Sequence, residues 1–191
     1  MTAGIVLAGG ASTRMGQPKA LLTLGGASLA ERMVDLFRRH CTDTIVVTGA
    51  HDVEIRAALP HLSSAMICNP QHAQGMFSSL RAGLSHFPQV EAVLFSPVDF
   101  AGLRPSSVAM LFVAAEAPLV KLRWQGRSGH PVLVRGPALA ALRAAPPSAN
   151  AKEILSVFPS FYLDVDDRAC AEDCDTPRDY QRLVDGWQPT P

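Results

Sequence analysis

The chain lacks most of what marks a protein for the membrane, for nucleic acid or for a structural metal. No apolar run approaches the roughly 20 residues of a bilayer span. No basic stripe marks a nucleic-acid footprint: 17 Lys and Arg stand against 17 Asp and Glu, for a formal net charge of zero. The four cysteines, Cys41, Cys68, Cys170 and Cys174, form no C-x-x-C pair, which removes the usual zinc signal and leaves reduced thiols as the expectation. No basic segment precedes the first apolar run, so a secretory leader is not expected and the expected location is the cytoplasm. Internal repeats and low-complexity tracts are also missing. What is there is 191 residues, 48% of them apolar and only 18% charged. That composition suits a globular protein with ample core, and the length suits one domain over residues 1–191.

Apolar runs alternate with helical patterns, which predicts a βαβ series and an α/β fold with a mainly parallel sheet. Strands are expected at Gly4–Leu7, Thr44–Val47, Ala65–Cys68 and Ala92–Phe95. The last is a continuous apolar run of the kind buried parallel strands carry. Between them, Leu29, Met33, Leu36 and Phe37 recur at helical spacing behind a Ser28 cap. Helices are expected at His51–Leu59, Met76–His86 and Pro105–Ala115. Further on, Pro118–Trp124 and Pro131–Val134 read as strands around a Gln125-Gly126-Arg127 turn. Short helices follow at Pro137–Ala144 and Lys152–Val157, a strand at Phe161–Val165 and a closing helix at Pro177–Gly186.

Directly after the first strand, Leu7 to Lys19 reads L-A-G-G-A-S-T-R-M-G-Q-P-K. Gly9, Gly10 and Gly16 permit turns that a side chain would block. The small Ala8, Ala11, Ser12 and Thr13 let backbone approach a ligand, and Arg14 and Lys19 set two cations beside it. Exposed N–H groups with two cations suit a polyphosphate. Five residues separate Gly10 from Gly16, so the run is not a P-loop, and the adjacent Gly9 and Gly10 exclude the G-x-G-x-x-G fingerprint.

In open parallel sheets, ligands bind beyond the carboxyl ends of the strands. That rule gathers the loops after strands one, three and four on one rim. After strand three, Gly75 frees the backbone, and Ser78 and Ser79 offer hydroxyls suited either to a planar base edge or to helix capping. Strand four ends at Phe95-Ser96-Pro97-Val98-Asp99. A carboxylate there is costly unless it meets water or a cation, and Mg²⁺ is a natural partner, a turn cap being the other reading. His130, in Ser128-Gly129-His130-Pro131, reads equally as a ligand group or as a structural histidine. A late acidic cluster, from Asp164 to Asp179, reads first as solvated surface.

The Leu7–Lys19 run also resembles the signature L-A-[AG]-G-x-S-x-R-M-G-x-x-K of nucleotidyltransferases with a glycosyltransferase-A-like, Rossmann-type fold. It is most similar to the molybdenum cofactor cytidylyltransferase group, with the guanylyltransferase group close behind. The resemblance continues in order along the chain. It implies a three-layer α/β/α sandwich and a nucleotide site at Leu7, Ala8, Gly9, Gly10, Ser12, Thr13, Arg14 and Lys19. The stretch from Asn69 through Gly75 to Ser78, Ser79 and Leu80 resembles the segment that touches the base. Gly75-Met76-Phe77-Ser78-Ser79 replaces the G-P-L-x-G of the guanylyl group, which favours cytidine. Asp99 takes the place of the Mg²⁺-binding aspartate, although Phe100-Ala101 stands where the family has x-Pro. Gly129 and His130 resemble an acceptor-pocket element. Asp173-Cys174-Asp175-Thr176-Pro177-Arg178-Asp179-Tyr180 resembles D-x-D-T-P-x-D-Y, which makes Asp175 the first choice for a second metal ligand and Asp173 the second. Asp179 is expected to serve the helix N-terminus instead.

The resemblance implies a Mg²⁺-dependent transfer of CMP from CTP to the phosphate of molybdenum-bound molybdopterin, releasing pyrophosphate, with a molybdoenzyme as recipient of the product. Lys19, Arg14 and Asp99 are the expected catalytic groups. The family's G-D-x-G-A-R-like stretch is replaced here by Pro147–Lys152, so acceptor identity carries over poorly. Guanylyl transfer, transfer to a sugar or alditol phosphate, and a cofactor-binding module without transfer activity are the alternatives.

Overall fold

The computed structural model describes residues 1–113 and 117–188. Its strands are β1 (Thr2–Ala8), β2 (Thr23–Leu24), β3 (Ala27–Ser28), β4 (Asp43–Thr48), β5 (Met66–Cys68), β6 (Ala92–Pro97), β7 (Leu119–Trp124), β8 (Arg127–Arg135) and β9 (Ser160–Asp164). Its helices are α1 (Leu29–Arg38), α2 (Asp52–Ala58), α3 (Met76–His86), α4 (Pro105–Val113), α5 (Gly136–Ala144), α6 (Ala151–Ser156) and α7 (Pro177–Gly186). The predicted helix at Pro105–Ala115 runs at its end into residues 114 and 115, which lie outside the described residues.

Seven strands form one sheet in the order β5-β4-β1-β6-β8-β7-β9, with β2 and β3 apart as a small hairpin. Pairing is parallel throughout except along β8, which is antiparallel to both β6 and β7. β1 lies between β4 and β6, and both of its faces are covered. Ile5 and Leu7 pack with Leu80 of α3, Leu139 of α5 and Leu155 of α6. Val6 and Ala8 pack with Met33 of α1, Ile55 of α2 and Val108 of α4. The side-chain period of two sends alternate residues to opposite layers, so a strand buried on both faces reads as an unbroken apolar run. The result is the expected α/β/α sandwich around a mainly parallel sheet.

Helix starts follow their sequence signals. Ser28 caps α1 through the Glu31 N–H, and the Glu31 carboxylate accepts from the Ser28 N–H in return. Thr176 and Asp179 form the same reciprocal box at α7. Asp179 thus serves the helix start, as its position suggested. The Thr176 and Arg182 contacts hold its carboxyl down at about 2.

Candidate active site

β1 and β6 end side by side, and the segments that leave them make opposite walls of one cavity of about 310 Å³. The wall after β1 is the glycine-rich loop. Its bend is set at Ser12, which takes the left-handed φ of 49° and whose carbonyl accepts from both Met15 N–H and Gly16 N–H. The Ser12 hydroxyl accepts from Lys19 N–H at 3.2 Å, and a 3₁₀ turn over Lys19–Leu21 follows. The opposite wall is the 3₁₀ turn Val98–Phe100, with Val98 and Phe100 buried and Asp99 between them.

Lys19 sits between two carboxylates. Its Nζ is 2.7 Å from Asp99 Oδ2 and also donates to Asp175 Oδ1. Arg14 reaches the other Asp175 oxygen at 2.7 Å. Burial works against the charge on Lys19, but the pull of Asp99 and Asp175 outweighs it and its pKa is raised. Burial pushes Asp99 up against the opposing pull of Lys19, with Asp173 and Asp175 adding to the rise. The hydrogen bond from Lys19, with help from Arg14, holds Asp175 low. Residues 14, 19, 99 and 175 thus form one ion network.

The cavity is lined by Leu7, Ala8, Gly9, Gly10, Ser12, Thr13, Arg14, Lys19, Gly75, Ser79, Asp99 and Asp175 among the residues singled out from sequence. Five others, Asn69, Ser78, Gly129, His130 and Asp173, stand elsewhere. Asn69 is buried, and its amide donates to Ser78 Oγ at 2.9 Å and Ser79 Oγ at 3.1 Å while its Oδ1 accepts from Gln71 N–H. Ser78 donates back towards the Gln71 and Gly75 carbonyls. This pair braces the loop after β5 and leaves Ser79 as the hydroxyl at the cavity wall. Gly129 packs on the backbone of Cys170, where a Cβ would come within 2.5 Å. His130 packs its ring against Phe95 and Phe100, and burial pushes its pKa down to about 4. That is the setting of a neutral structural histidine. Asp173 lines a separate hollow beyond Asp99. The four cysteines are free thiols, and burial pushes Cys41 up to about 12 and Cys170 and Cys174 to about 11.

Among the described residues no group of three or more His, Cys, Asp or Glu is placed to hold a metal. The two carboxylates here suit a different kind of ion, because Mg²⁺ binds through one or two carboxylates and keeps water or substrate phosphates. Asp99 Oδ1 is buried with no hydrogen-bond partner. A buried carboxylate oxygen left open beside a second carboxylate is the donor set such an ion requires.

Two histidines at the cavity were given no role from the sequence. His51, at the start of α2, and His72, in the 3₁₀ turn after β5, both line the cavity. A Cβ on Gly49 would fall within 2.6 Å of both the Gly9 carbonyl and His72, so glycine is needed where this loop meets the first. The signal for His51 was position, since it follows a sheet strand at its carboxyl end, and His72 lies within the Asn69–Leu80 stretch.

The mainly parallel-sheet sandwich has a glycine-rich cationic loop after its first strand, facing Asp99 after a neighbouring strand and Asp175 before the last helix, and its fold is that of the nucleotidyltransferases. The chain belongs to the family of the MobA-like NTP transferase domain, whose model matches residues 4–164. It is 25% identical over 177 residues to the molybdenum cofactor cytidylyltransferase of Escherichia coli, covering 92% of each chain. It is 26% identical over 193 residues to a molybdenum cofactor guanylyltransferase of Xanthomonas euvesicatoria, covering 95% of this chain and 93% of that one. A relative named nicotine blue oxidoreductase, from Paenarthrobacter nicotinovorans, is 29% identical over 197 residues and 95% of each chain. In fold, a nucleotidyl transferase from Methanothermobacter superposes with a TM-score of 0.78 at 19% identity, over 97% of this chain and 96% of that one. The chain therefore belongs to a nucleotidyltransferase family whose relatives include molybdenum cofactor cytidylyl- and guanylyltransferases. No helix among the described residues is long and apolar enough to cross a membrane.

Proposed function

We propose that the chain transfers CMP from CTP to a phosphate of a molybdopterin-type acceptor, with Mg²⁺ as cofactor. The observation that carries the reading is the convergence of Arg14, Lys19, Asp99 and Asp175 at the mouth of the glycine-rich loop. Backbone N–H groups between Gly9 and Thr13 face the triphosphate. Lys19 and Arg14 exchange carboxylate partners for phosphate oxygens and offset the charge that develops on the leaving pyrophosphate. An acceptor phosphate oxygen forms the new bond to the α-phosphorus, and the bond from that phosphorus to the bridging oxygen breaks. The acceptor oxygen is already ionised, so no protein nucleophile or base is needed, and placement and charge stabilisation carry the rate. Asp99 and Asp175 are the residues that would hold Mg²⁺, which supplies charge neutralisation across the phosphates.

The preference for cytidine rests on Gly75-Met76-Phe77-Ser78-Ser79 and on the end-to-end likeness to a cytidylyltransferase. Guanylyl transfer is the second reading, favoured by the equally full-length guanylyltransferase relative. Thermal shifts with CTP, GTP, ATP and UTP in Mg²⁺ separate the two, followed by pyrophosphate release with molybdenum-loaded molybdopterin. The expected result is the largest shift with CTP, and pyrophosphate formed only when acceptor is present. A folded protein stabilised by none of the four nucleotides overturns the reading. Turnover without pyrophosphate would instead align the chain with its oxidoreductase relative.

A further inference from the structure

The loop after β4 grips the glycine-rich loop at two carbonyls. Ala50 N–H donates to Gly9 O at 3.3 Å. His51 Nε2 lies 3.0 Å from Ala11 O, and its Nδ1 lies 3.3 Å from the Glu54 carboxylate. Both partners of the ring are acceptors, a carbonyl and a carboxylate. A neutral imidazole carries one N–H and can serve only one of them, whereas the imidazolium serves both.

The peptide that His51 touches is the strained one. Ala11 C=O and Ser12 N–H belong to one planar trans unit and point in opposite directions, so holding the carbonyl fixes the direction of the Ser12 donor. Ser12 itself takes a left-handed φ of 49°, a conformation that persists in a non-glycine residue only when its surroundings enforce it. From the far side, Lys19 N–H holds the Ser12 hydroxyl, and Met15 and Gly16 hold the Ser12 carbonyl. His51 closes the set on the near side.

We infer that His51 is a positioning residue for the polyphosphate loop: it orients the Ala11–Ser12 peptide, and its full grip requires the imidazolium. The inference rests on the polyphosphate reading of that loop. The other charged groups around the ring are accounted for. Glu54, on the next turn of α2, is half exposed and lies against Nδ1. Asp52 is taken up by Thr48 and Arg56. Arg14 and His72 face the same cavity from the β1 loop and from the turn after β5. Deprotonation leaves one ring nitrogen with its lone pair facing an acceptor, so the grip on Ala11 or the contact with Glu54 is lost.

The test is equilibrium binding of two probes, Mg²⁺–CTP and Mg²⁺–triphosphate, to the full chain between pH 5.5 and 8.5, an interval that spans histidine ionisation. Wild type, His51→Ala, His51→Gln and Glu54→Gln are compared as ratios at each pH, which cancels protonation of the probes. His51→Ala is expected to weaken both probes by roughly tenfold at low pH, the scale of one hydrogen bond made by a charged group, and by less at high pH. His51→Gln keeps an amide N–H within reach of Ala11 O, so it is expected to restore binding with no pH-dependent ratio. Glu54→Gln removes the second obligate acceptor, so a neutral ring can serve Ala11 and the pH dependence of binding is expected to weaken. His51→Ala, folded by circular dichroism, matching wild type for both probes at every pH overturns the inference while the polyphosphate reading survives. A ratio that stays constant with pH overturns the imidazolium requirement. Failure of wild type to bind either probe overturns the polyphosphate reading and the inference with it.

Discussion

Lys19 is the single residue on which the site's electrostatics turn, because its ammonium is shared by two carboxylates from distant parts of the chain. Its side chain is 15% exposed and that of Asp99 12%, so neither charge is well solvated and each depends on the other. Lys19→Ala is expected to lower turnover by roughly two orders of magnitude, the scale of losing one preorganised charge contact. The measurement is pyrophosphate release beside a circular dichroism melt. Unchanged turnover in a folded variant removes Lys19 from the mechanism. A second residue-scale prediction concerns His130, whose pKa burial depresses from 6.5 to about 4. The unfolded chain binds a proton there at a higher pH than the folded chain does. Stability from this group is therefore complete above about pH 6.5 and is lost as pH falls through the window down to about 4, at roughly 1 kcal/mol per pH unit. Urea midpoints measured across that window should fall in wild type and fall less steeply in His130→Gln; equal slopes would deny the ring its buried neutral state.

At the scale of elements, Asp175 depends on a helix that buries none of its own residues. α7 is held to the body at three points. Tyr180 OH donates to Thr23 O at 2.6 Å in the β2–β3 hairpin, and Leu183 covers Gly102. Trp187 lies over Gly25, where a Cβ would come within 2.0 Å of the indole, and Arg32 stacks on that ring at 4.8 Å while donating to Ala101 O. Gly25 has a left-handed φ of 61°, so the hairpin turn and the indole both require glycine there. Trp187→Ala is expected to speed amide exchange along α7 by about tenfold or more, the release of roughly 1.4 kcal/mol of local stability, while the sheet strands keep their protection. Turnover should fall with it, since Asp175 stands only two residues before the helix. Uniform loss of protection across β1 and β6 would refute a local role. This strap was not legible in the sequence. The two-residue strands at Thr23–Leu24 and Ala27–Ser28 are too short for alternation to register, and a contact between residue 25 and residue 187 leaves no local trace. β8 begins at Arg127 rather than Pro131 because the hairpin with β7 extends through Arg127 and Ser128, polar residues that carry no apolar period. By contrast, the parallel strands, the Ser28 cap and the place of Asp179 at the start of the last helix were legible, because local chemistry alone specifies them. The same division holds in the site. The cationic loop announced itself by composition. The bracing of Asn69 by Ser78 and the approach of His51 to Ala11 are tertiary pairings that spacing does not encode.

Across the whole molecule, charge is balanced twice over. The chain carries 17 cationic and 17 anionic side chains, and the site's own Arg14, Lys19, Asp99 and Asp175 also sum to zero. The net charge therefore adds no long-range attraction for a nucleotide, and a free triphosphate arriving at the cavity meets two carboxylates along with its two cations. On the proposed reading, binding is expected to be favourable only when the nucleotide brings compensating positive charge with it, which would tie nucleotide affinity to a divalent cation. With Mg²⁺ present and CTP at about 100 times its Kd, the folded state gains about 2.7 kcal/mol. For a chain of this length that corresponds to a rise in melting temperature of roughly 5–10 °C. CTP with EDTA is expected to give almost none of this rise, and Mg²⁺ alone only a small one, since Lys19 already neutralises the carboxylates. Asp99→Asn removes one of the two negative charges that the cation would offset. In that variant the Mg²⁺-dependent part of the shift should collapse while a weak, metal-independent response to CTP appears. An undiminished shift in EDTA, or full Mg²⁺ dependence retained by Asp99→Asn, would mean that the charge balance at this rim does not govern nucleotide binding.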